Sequence, residues 1–173
     1  VARIDNWHLL PEYLNALARR VRSALERFPE SERADVPIVF TAHSLPERIL
    51  EWDAPYPKQL RARVDGVMWV LGSHPHEFAF QSAAISKEPW LGPDASELIN
   101  RFADEGKRDI LICPIGFVCE HVEILYDIDI VYQSLAKTLG VRLERIDMLN
   151  DEPEMISGLA QLVSDTAKEQ NWL

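Results

Sequence analysis

Two carboxylates four positions apart, Glu123 and Asp127, have a spacing that could do chemistry. On a helix, residues at i and i+4 project from the same face, so these carboxylates would lie side by side. Like charges at this spacing destabilise a helix by roughly 0.2–0.5 kcal/mol, which a solvated surface tolerates. In a crevice, the same pair would offer hard oxygen ligands to a divalent cation or would accept protons. The spacing alone leaves both interpretations open.

A histidine opposite the two carboxylates would complete such a site, as a base or as a borderline metal ligand. His43 is the candidate, because it follows a short β-branched run, IVFTA (38–42), which is typical of a buried strand. For these side chains to meet, the strand that ends at His43 must lie beside the segment that carries Glu123.

Short apolar segments alternate with amphipathic ones along the chain, and this alternation predicts how the candidates are positioned. Strands are predicted at 38–42, 78–82, 110–115 and 141–148, and helices at 10–28, 56–72, 93–106, 119–139 and 153–168. Strands that alternate with helices indicate right-handed crossovers and a parallel sheet. We therefore predict an α/β fold, a three-layer sandwich around a four-stranded parallel sheet in the flavodoxin-like order.

In an open parallel sheet, ligands bind beyond the carboxyl ends of the strands, where the strand order reverses. If the first and third strands are neighbours, His43 and the helix that carries Glu123 and Asp127 face one crevice. Trp90 lies in a proline-rich loop, PWLGP (89–93), at the same edge. It is either a buried anchor or an aromatic wall for a flat ligand.

Other residues that could do chemistry carry weaker patterns. His121 lies two positions before a carboxylate, so on a helix it points away from that group, and packing or capping is its expected role. His74 and His76 form an HxH pair in a loop, where exposed histidines are common. A hydrolase that pairs Ser44 with His43 is disfavoured, because neighbouring residues of an extended chain point in opposite directions and no GxSxG elbow is present.

The composition limits the classes of protein that fit. The chain has 173 residues, about one domain, and its 18 Lys and Arg against 28 Asp and Glu give a formal net charge of −10. Such a chain lacks the basic surface that binds nucleic acid, and it attracts cations. No apolar run approaches the roughly 18 residues of a membrane helix. Two cysteines make no disulfide framework, and neither GxGxxG nor GxxxxGK[ST] occurs. Because the chain begins with Val1, we expect that it was processed or cut from something longer.

Several motifs together resemble those of one enzyme family. They are TAHSLP (41–46), YP (56–57), QS (81–82), PWLGP (89–93) and CPIGFVCEHVEILYD (113–127). In this order and spacing they resemble the ferrochelatases, which insert ferrous iron into a porphyrin. That family has two similar α/β domains with the porphyrin cleft between them. The resemblance makes residues 1–173 the C-terminal domain and implies an N-terminal half of the same enzyme as its partner.

The resemblance implies an enzyme of the lyase class that acts in heme biosynthesis on protoporphyrin IX or coproporphyrin III. His43 and Glu123 match the paired catalytic residues of the family, and with Asp127 they would contact the metal. The chemistry suits these residue types, because insertion removes two protons from pyrrole nitrogens and strips water from Fe²⁺. A neutral imidazole can accept a proton, and a carboxylate can relay it or replace part of the hydration shell.

Trp90, Tyr126 and Ser44 are, by resemblance, the residues that shape the porphyrin site. The chain departs from the family at the third step of an acidic ladder, where it has Val131. Asp129 is nearby, but on a regular α-helix it lies on a different face. In the family this helix carries a π-type bulge, which would shift the register.

Further expectations concern cofactors, location and activity. Fe²⁺ is expected as a substrate rather than a cofactor, and the four cysteines of an iron–sulfur cluster are absent from the sequence. A cytoplasmic location without an integral membrane segment is expected. The isolated domain is expected to be inactive or weakly active, since half of the cleft is missing. The alternatives are a non-catalytic metal- or tetrapyrrole-binding module and a chelatase for another metal.

Overall fold

Four parallel strands form the centre of the fold, in a computed structural model that describes residues 1–52 and 54–173. They are β1 (Ile38–His43), β2 (His76–Gln81), β3 (Asp109–Cys113) and β4 (Arg142–Arg145). The order across the sheet is β2-β1-β3-β4, with every neighbouring pair parallel. The predicted flavodoxin-like order is therefore confirmed, and β1 lies directly beside β3.

Helices cover both faces of this sheet. They are α1 (Pro11–Leu25), α2 (Tyr56–Leu71), α3 (Ala95–Asp104), a π-helix (Ile124–Tyr132), α4 (Gln133–Leu139) and α5 (Pro153–Glu169). Helix α1 contacts α2 and α5 on one face, and α3 contacts α4 on the other. Two short 3₁₀ helices, Arg33–Asp35 and Glu47–Trp52, lie in the connections. The three-layer sandwich is confirmed.

Successive residues of the central strands enter two different cores. Ile38 and Phe40 pack with α1 and α2, whereas Val39 packs with α3 and the π-helix. Leu111 and Ile112 of β3 divide in the same way. Because side chains alternate across a strand and both faces are covered, nearly every position of these strands is apolar. This is why the continuous apolar runs of the sequence become buried strands.

The segment predicted as one helix at 119–139 differs from that prediction. Residues up to His121 are in turns, and a nine-residue π-helix precedes α4. Asn150 explains why the helix begins later than predicted. Its side-chain oxygen accepts a hydrogen bond from the Glu120 N–H at 2.9 Å, and its backbone N–H donates to the Val118 carbonyl at 2.9 Å. A distant loop therefore holds these turns outside the helix.

Gly116 sets how closely the loop after β3 approaches the end of β1. Its N–H donates to the Thr41 carbonyl at 3.0 Å. A β-carbon at this position would lie 2.6 Å from the β-carbon and 2.7 Å from the α-carbon of Ala42. Only glycine fits, because both clashing atoms belong to a buried residue of the central strand. No helix in the described ranges is long and apolar enough to cross a membrane.

Candidate active site

His43 ends β1 at the carboxyl edge of the sheet, half-buried and facing the start of the π-helix. Its Nε2 lies 3.5 Å from Oε2 of Glu123. Its Nδ1 hydrogen-bonds the carbonyl oxygen of Ser44, so in the neutral ring Nδ1 carries the proton and Nε2 carries the lone pair. The hydroxyl of Tyr56 donates to the His43 carbonyl at 2.9 Å and anchors the backbone. Two acceptors, Nε2 and Oε2, thus face each other and can share a proton or a cation.

His121 lies closer to Glu123 than the sequence predicted. The N–H of Glu123 donates to Nδ1 of His121 at 3.3 Å, and that nitrogen is 3.6 Å from Oε2 of Glu123. The prediction that His121 points away was wrong, because it assumed a helix that already includes residue 121. The imidazole also packs on Phe117, with ring centroids 5.8 Å apart. His121 is therefore a neighbour of the site that helical spacing could not reveal.

Asp127 faces the same crevice and is held from β2. Its Oδ2 accepts a hydrogen bond from the hydroxyl of Ser82, a residue with the positive φ of 60°. The side chain of Gln81 donates to the Ser82 hydroxyl at 3.4 Å and accepts from the Thr41 hydroxyl at 2.7 Å. Thr41 and Gln81 are fully buried, so this chain of hydrogen bonds joins β1 and β2 to the π-helix. In the sequence, the only sign of this chain of hydrogen bonds was the polar pair Gln81 and Ser82 at the end of a predicted strand.

The residues predicted to shape a ligand surface occupy three different situations. Ser44 is fully buried, and its hydroxyl donates to the Leu91 carbonyl at 2.7 Å. This hydrogen bond holds the loop of residues 89–93. Trp90 in that loop is half-buried, and its indole N–H donates to the Ser86 hydroxyl at 2.8 Å. Tyr126 is exposed on the π-helix. Direct contact with a ligand is therefore open to Trp90 and Tyr126 but not to the Ser44 side chain.

Asp129, the other acid of the π-helix, is turned away from the crevice by Arg145. The Arg145 Nε lies 2.8 Å from Oδ1 of Asp129, and its Nη2 donates to Oδ2 at 2.9 Å. Its Nη1 is 3.3 Å from Oε1 of Glu120 and donates to the Ile146 carbonyl at 3.1 Å. Burial would lower the pKa of Arg145, but the hydrogen bonds and charge of these acids outweigh it and raise that pKa. Arg145 thereby neutralises the carboxylates of Asp129 and Glu120. Those of Glu123 and Asp127 remain at the crevice.

His74, His76 and Val131, the residue at the third acidic step, lie apart from this site. His74 hydrogen-bonds the Val36 carbonyl, and His76 hydrogen-bonds the His74 carbonyl, at the end of the sheet opposite His43. Val131 is exposed on the π-helix and supplies no ligand. Within residues 1–52 and 54–173, no three His, Cys, Asp or Glu side chains converge to hold a metal ion. The donor groups at the crevice are the His43–Glu123 pair, with Asp127 next along the helix.

The architecture is a three-layer α/β sandwich around a parallel sheet, with its polar edge after β1 and β3. A solved structure that shares it is described as a candidate cobalamin (vitamin B12) biosynthesis protein, CbiX, from Marinobacter aquaeolei. The TM-score is 0.53 at 15% identity, over 77% of this chain and 98% of that one. This likeness concerns the fold alone.

The chain belongs to the ferrochelatase family, whose family model matches residues 1–167. It is 43% identical to the ferrochelatases of Herpetosiphon aurantiacus and Deinococcus radiodurans, over 93% and 97% of this chain. It is 37% identical to the coproporphyrin III ferrochelatase of Geobacillus kaustophilus over 92% of its length. These matches cover 53%, 54% and 51% of the relatives, so the chain spans about half the length of the curated proteins it matches. The family resemblance read from the motifs is confirmed.

Proposed function

We propose that this chain is the catalytic C-terminal half of a ferrochelatase, a lyase that inserts Fe²⁺ into a porphyrin during heme biosynthesis. The observation that carries the proposal is the 3.5 Å approach of His43 Nε2 to Glu123 Oε2. Both residues lie in segments that match the family, and both are half-exposed at the carboxyl edge of a parallel sheet.

The reaction replaces two pyrrole N–H protons with one Fe²⁺, so it releases two protons. Nε2 of His43 holds a free lone pair and accepts a pyrrole proton, while Nδ1–H remains bound to the Ser44 carbonyl. Oε2 of Glu123 then takes that proton from Nε2 and passes it towards solvent, which restores the lone pair of Nε2 so that the second pyrrole proton leaves by the same route before Fe²⁺ is bound. The same oxygen replaces a water of the incoming Fe²⁺, since a carboxylate is a hard ligand.

Asp127 follows Glu123 along the π-helix and serves as the next carboxylate for a cation or a proton. Ser82 fixes its orientation through the hydroxyl hydrogen bond. The site then has one basic nitrogen and two carboxylates in series, without the third acid that Val131 replaces. Fe²⁺ is the substrate in this proposal, and no further cofactor is invoked.

The open edge of the sheet supports the proposal of a second domain as partner. The segments that follow β1, β2 and β3 each carry exposed large apolar side chains, namely Trp52, Ile85, Val122, Leu125 and Ile130. An exposed apolar surface of this kind marks a binding face. We propose that the porphyrin and an N-terminal half of the enzyme cover it, and that the whole enzyme is cytoplasmic. The porphyrin is protoporphyrin IX or coproporphyrin III.

The test is metallation by the full-length protein that contains this chain. Anaerobic incubation with Fe²⁺ and metal-free porphyrin should produce the metalloporphyrin absorption spectrum, and His43→Ala should abolish it. Tight binding of metal and porphyrin without turnover would instead assign a binding module. Turnover with another divalent metal but not with Fe²⁺ would assign a different chelatase. The isolated 173-residue chain should be nearly inactive, and robust turnover by it would contradict the two-domain cleft.

A further inference from the structure

Arg63 of α2 carries a charge that no carboxylate in the described parts of the chain neutralises. Its Nη1 donates to the Ile115 carbonyl at 2.6 Å, and its guanidinium carbon lies 5.3 Å from the ring centroid of Tyr13. The Tyr13 hydroxyl donates to the same carbonyl at 3.2 Å. Burial raises the pKa of Tyr13 to about 12, so its phenol remains neutral. The guanidinium therefore has a carbonyl and an aromatic ring as partners, but no anion.

A cleft of about 350 Å³ opens beside this guanidinium. Its walls include two aromatic rings, Trp7 and Phe117, with no acidic side chain among the lining residues. The full lining is Trp7, Arg63, Gly116, Phe117, Val118, Cys119 and His121. A concave surface with aromatic walls and a few polar groups is the usual form of a small-molecule site.

Two polar atoms near this cleft are left without partners. Nε of Arg63 and Nδ1 of His8 are both buried, and neither has a hydrogen-bond partner in the described ranges. Burial lowers the pKa of His8, and the positive charge of Arg63 lowers it further. Burying a charge or a polar atom without a partner costs free energy, so such groups point to a ligand that completes them. The missing partner of a guanidinium is an anion.

The cleft is continuous with the proposed reaction site. His121 lines it and also lies 3.6 Å from the Oε2 of Glu123, the atom that faces His43. A flat ligand that covers the His43–Glu123 pair therefore extends towards Trp7 and Arg63. With a net charge of −10, the chain otherwise repels an anionic ligand.

We propose that this cleft is a subsite for a carboxylate of the porphyrin, with Arg63 as the residue that recognises it. The proposal rests on the proposed ferrochelatase function and deepens it. A porphyrin propionate enters between Trp7 and Phe117, and the guanidinium binds it with charge-assisted hydrogen bonds. Arg63 thereby selects for porphyrins that present a carboxylate on this side of the ring.

The test uses the full-length protein and two metal-free probes, coproporphyrin III and its tetramethyl ester. Their dissociation constants are measured by quenching of protein fluorescence. Arg63→Gln keeps a donor for the Ile115 carbonyl but removes the charge, and it should weaken binding of the acid about tenfold without changing binding of the ester. Arg63→Lys should retain most of the affinity for the acid. Arg61→Gln, on the exposed side of the same helix, is the matched control and should match the wild type.

Chemical protection gives a second measurement that needs no variant. Coproporphyrin III should protect Arg63, but not Arg61, from phenylglyoxal, as measured by mass spectrometry of the wild-type protein. Equal weakening of acid and ester by Arg63→Gln, or no protection of Arg63, would overturn the subsite. Arg63-dependent binding without any metallation would overturn the proposed function while leaving the subsite intact. Metallation together with porphyrin binding that does not depend on Arg63 would overturn the subsite while leaving the proposed function intact.

Discussion

Nε2 of His43 and Oε2 of Glu123 face each other at 3.5 Å across the carboxyl ends of β1 and β3. The hydrogen bond from Nδ1 to the Ser44 carbonyl places the lone pair of the ring on the Glu123 side. Both groups are acceptors in this state, so the space between them favours a proton or a metal cation. This relationship connects the fold to the proposed metal insertion.

Removal of either member of the pair should remove most of the metallation activity. His43→Ala and Glu123→Gln should each lower kcat by about 10²- to 10⁴-fold, because each removes a group that accepts or relays a proton. The double variant should be little worse than either single one, since the two act as a unit. Stopped-flow formation of the metalloporphyrin measures this in the full-length protein.

The control for this prediction is His76→Ala, which removes an exposed imidazole at the opposite end of the sheet. It should leave kcat and KM unchanged. Near-normal turnover of His43→Ala would contradict the assignment of the pair.

Two substitutions of Ser82 distinguish its contribution to the stability of the protein from its role in positioning Asp127. Ser82→Ala loses the hydroxyl that binds Asp127 and keeps a side chain at φ 60°, so it should lower the free energy of unfolding by about 1 kcal/mol. Ser82→Gly loses the same hydrogen bond but relieves the left-handed backbone, which offsets about 1 kcal/mol. Both variants should raise KM for Fe²⁺ with KM for porphyrin unchanged. An unchanged KM for Fe²⁺ in both would show that Asp127 needs no such positioning.

Gly116→Ala should destabilise the protein by about 3 kcal/mol, because the new β-carbon overlaps Ala42 in the buried centre of β1. Urea unfolding measures this loss. Gly106→Ala is the control for the steric overlap, since nothing lies within 4 Å of the added carbon, although the backbone of Gly106, unlike that of Gly116, is left-handed at φ 83°. That control should cost about 1 kcal/mol. A negligible loss in Gly116→Ala would mean that the loop after β3 shifts without penalty.

Arg145 and Asp129 should be energetically coupled. A double-mutant cycle with Arg145→Met and Asp129→Asn should give a coupling free energy of about 1 kcal/mol, because the pair is bidentate but Asp129 is partly solvated. The exposed pair Lys168 and Asp165, 3.6 Å apart on α5, is the control and should show no resolvable coupling. A cycle that closes to zero at Arg145 would contradict its role in holding the π-helix.

His8 should make stability depend on pH in a defined direction. Burial and the charge of Arg63 lower its pKa in the folded state below the usual 6.5, so below that pH the unfolded chain binds a proton that the folded chain resists. The free energy of unfolding should therefore decrease as the pH falls below about 6.5 and be fully retained above it. His8→Gln should remove this part of the slope, and Arg63→Gln should reduce it. An identical slope in wild type and His8→Gln would refute the assignment.

The pattern of apolar residues predicted the layers of the fold. This pattern indicates which residues are buried, but it does not indicate which of them pair with a neighbouring strand. The predicted fourth strand, 141–148, ends in the structure at Arg145, although Ile146, Met148 and Leu149 beyond it are buried. The third predicted strand ends two residues early for a local reason. Pro114 lacks an N–H for the ladder, and Ile115 turns into the core instead. The strand centres were therefore predictable, whereas several ends were set by contacts.

The candidate site shows the same division. The proximity of His43 and Glu123 was predictable, because both follow strands that end at the same edge of a parallel sheet. The position of His121 depends on Asn150, which holds the preceding turns from a loop far along the chain. Asp129 of the π-helix is bound by Arg145, which lies on β4. No local pattern contains these tertiary contacts, so spacing rules failed where they act.

The strand order has a consequence for the chain during synthesis. β1 and β3 are neighbours in the sheet, but α2, β2 and α3 all lie between them in sequence. His43 therefore emerges from the ribosome long before Glu123, and the two meet only when β3 docks beside β1. A nascent or partly unfolded chain thus lacks the close approach of His43 to Glu123. Under the proposed function, the iron site therefore forms only when the sheet is complete.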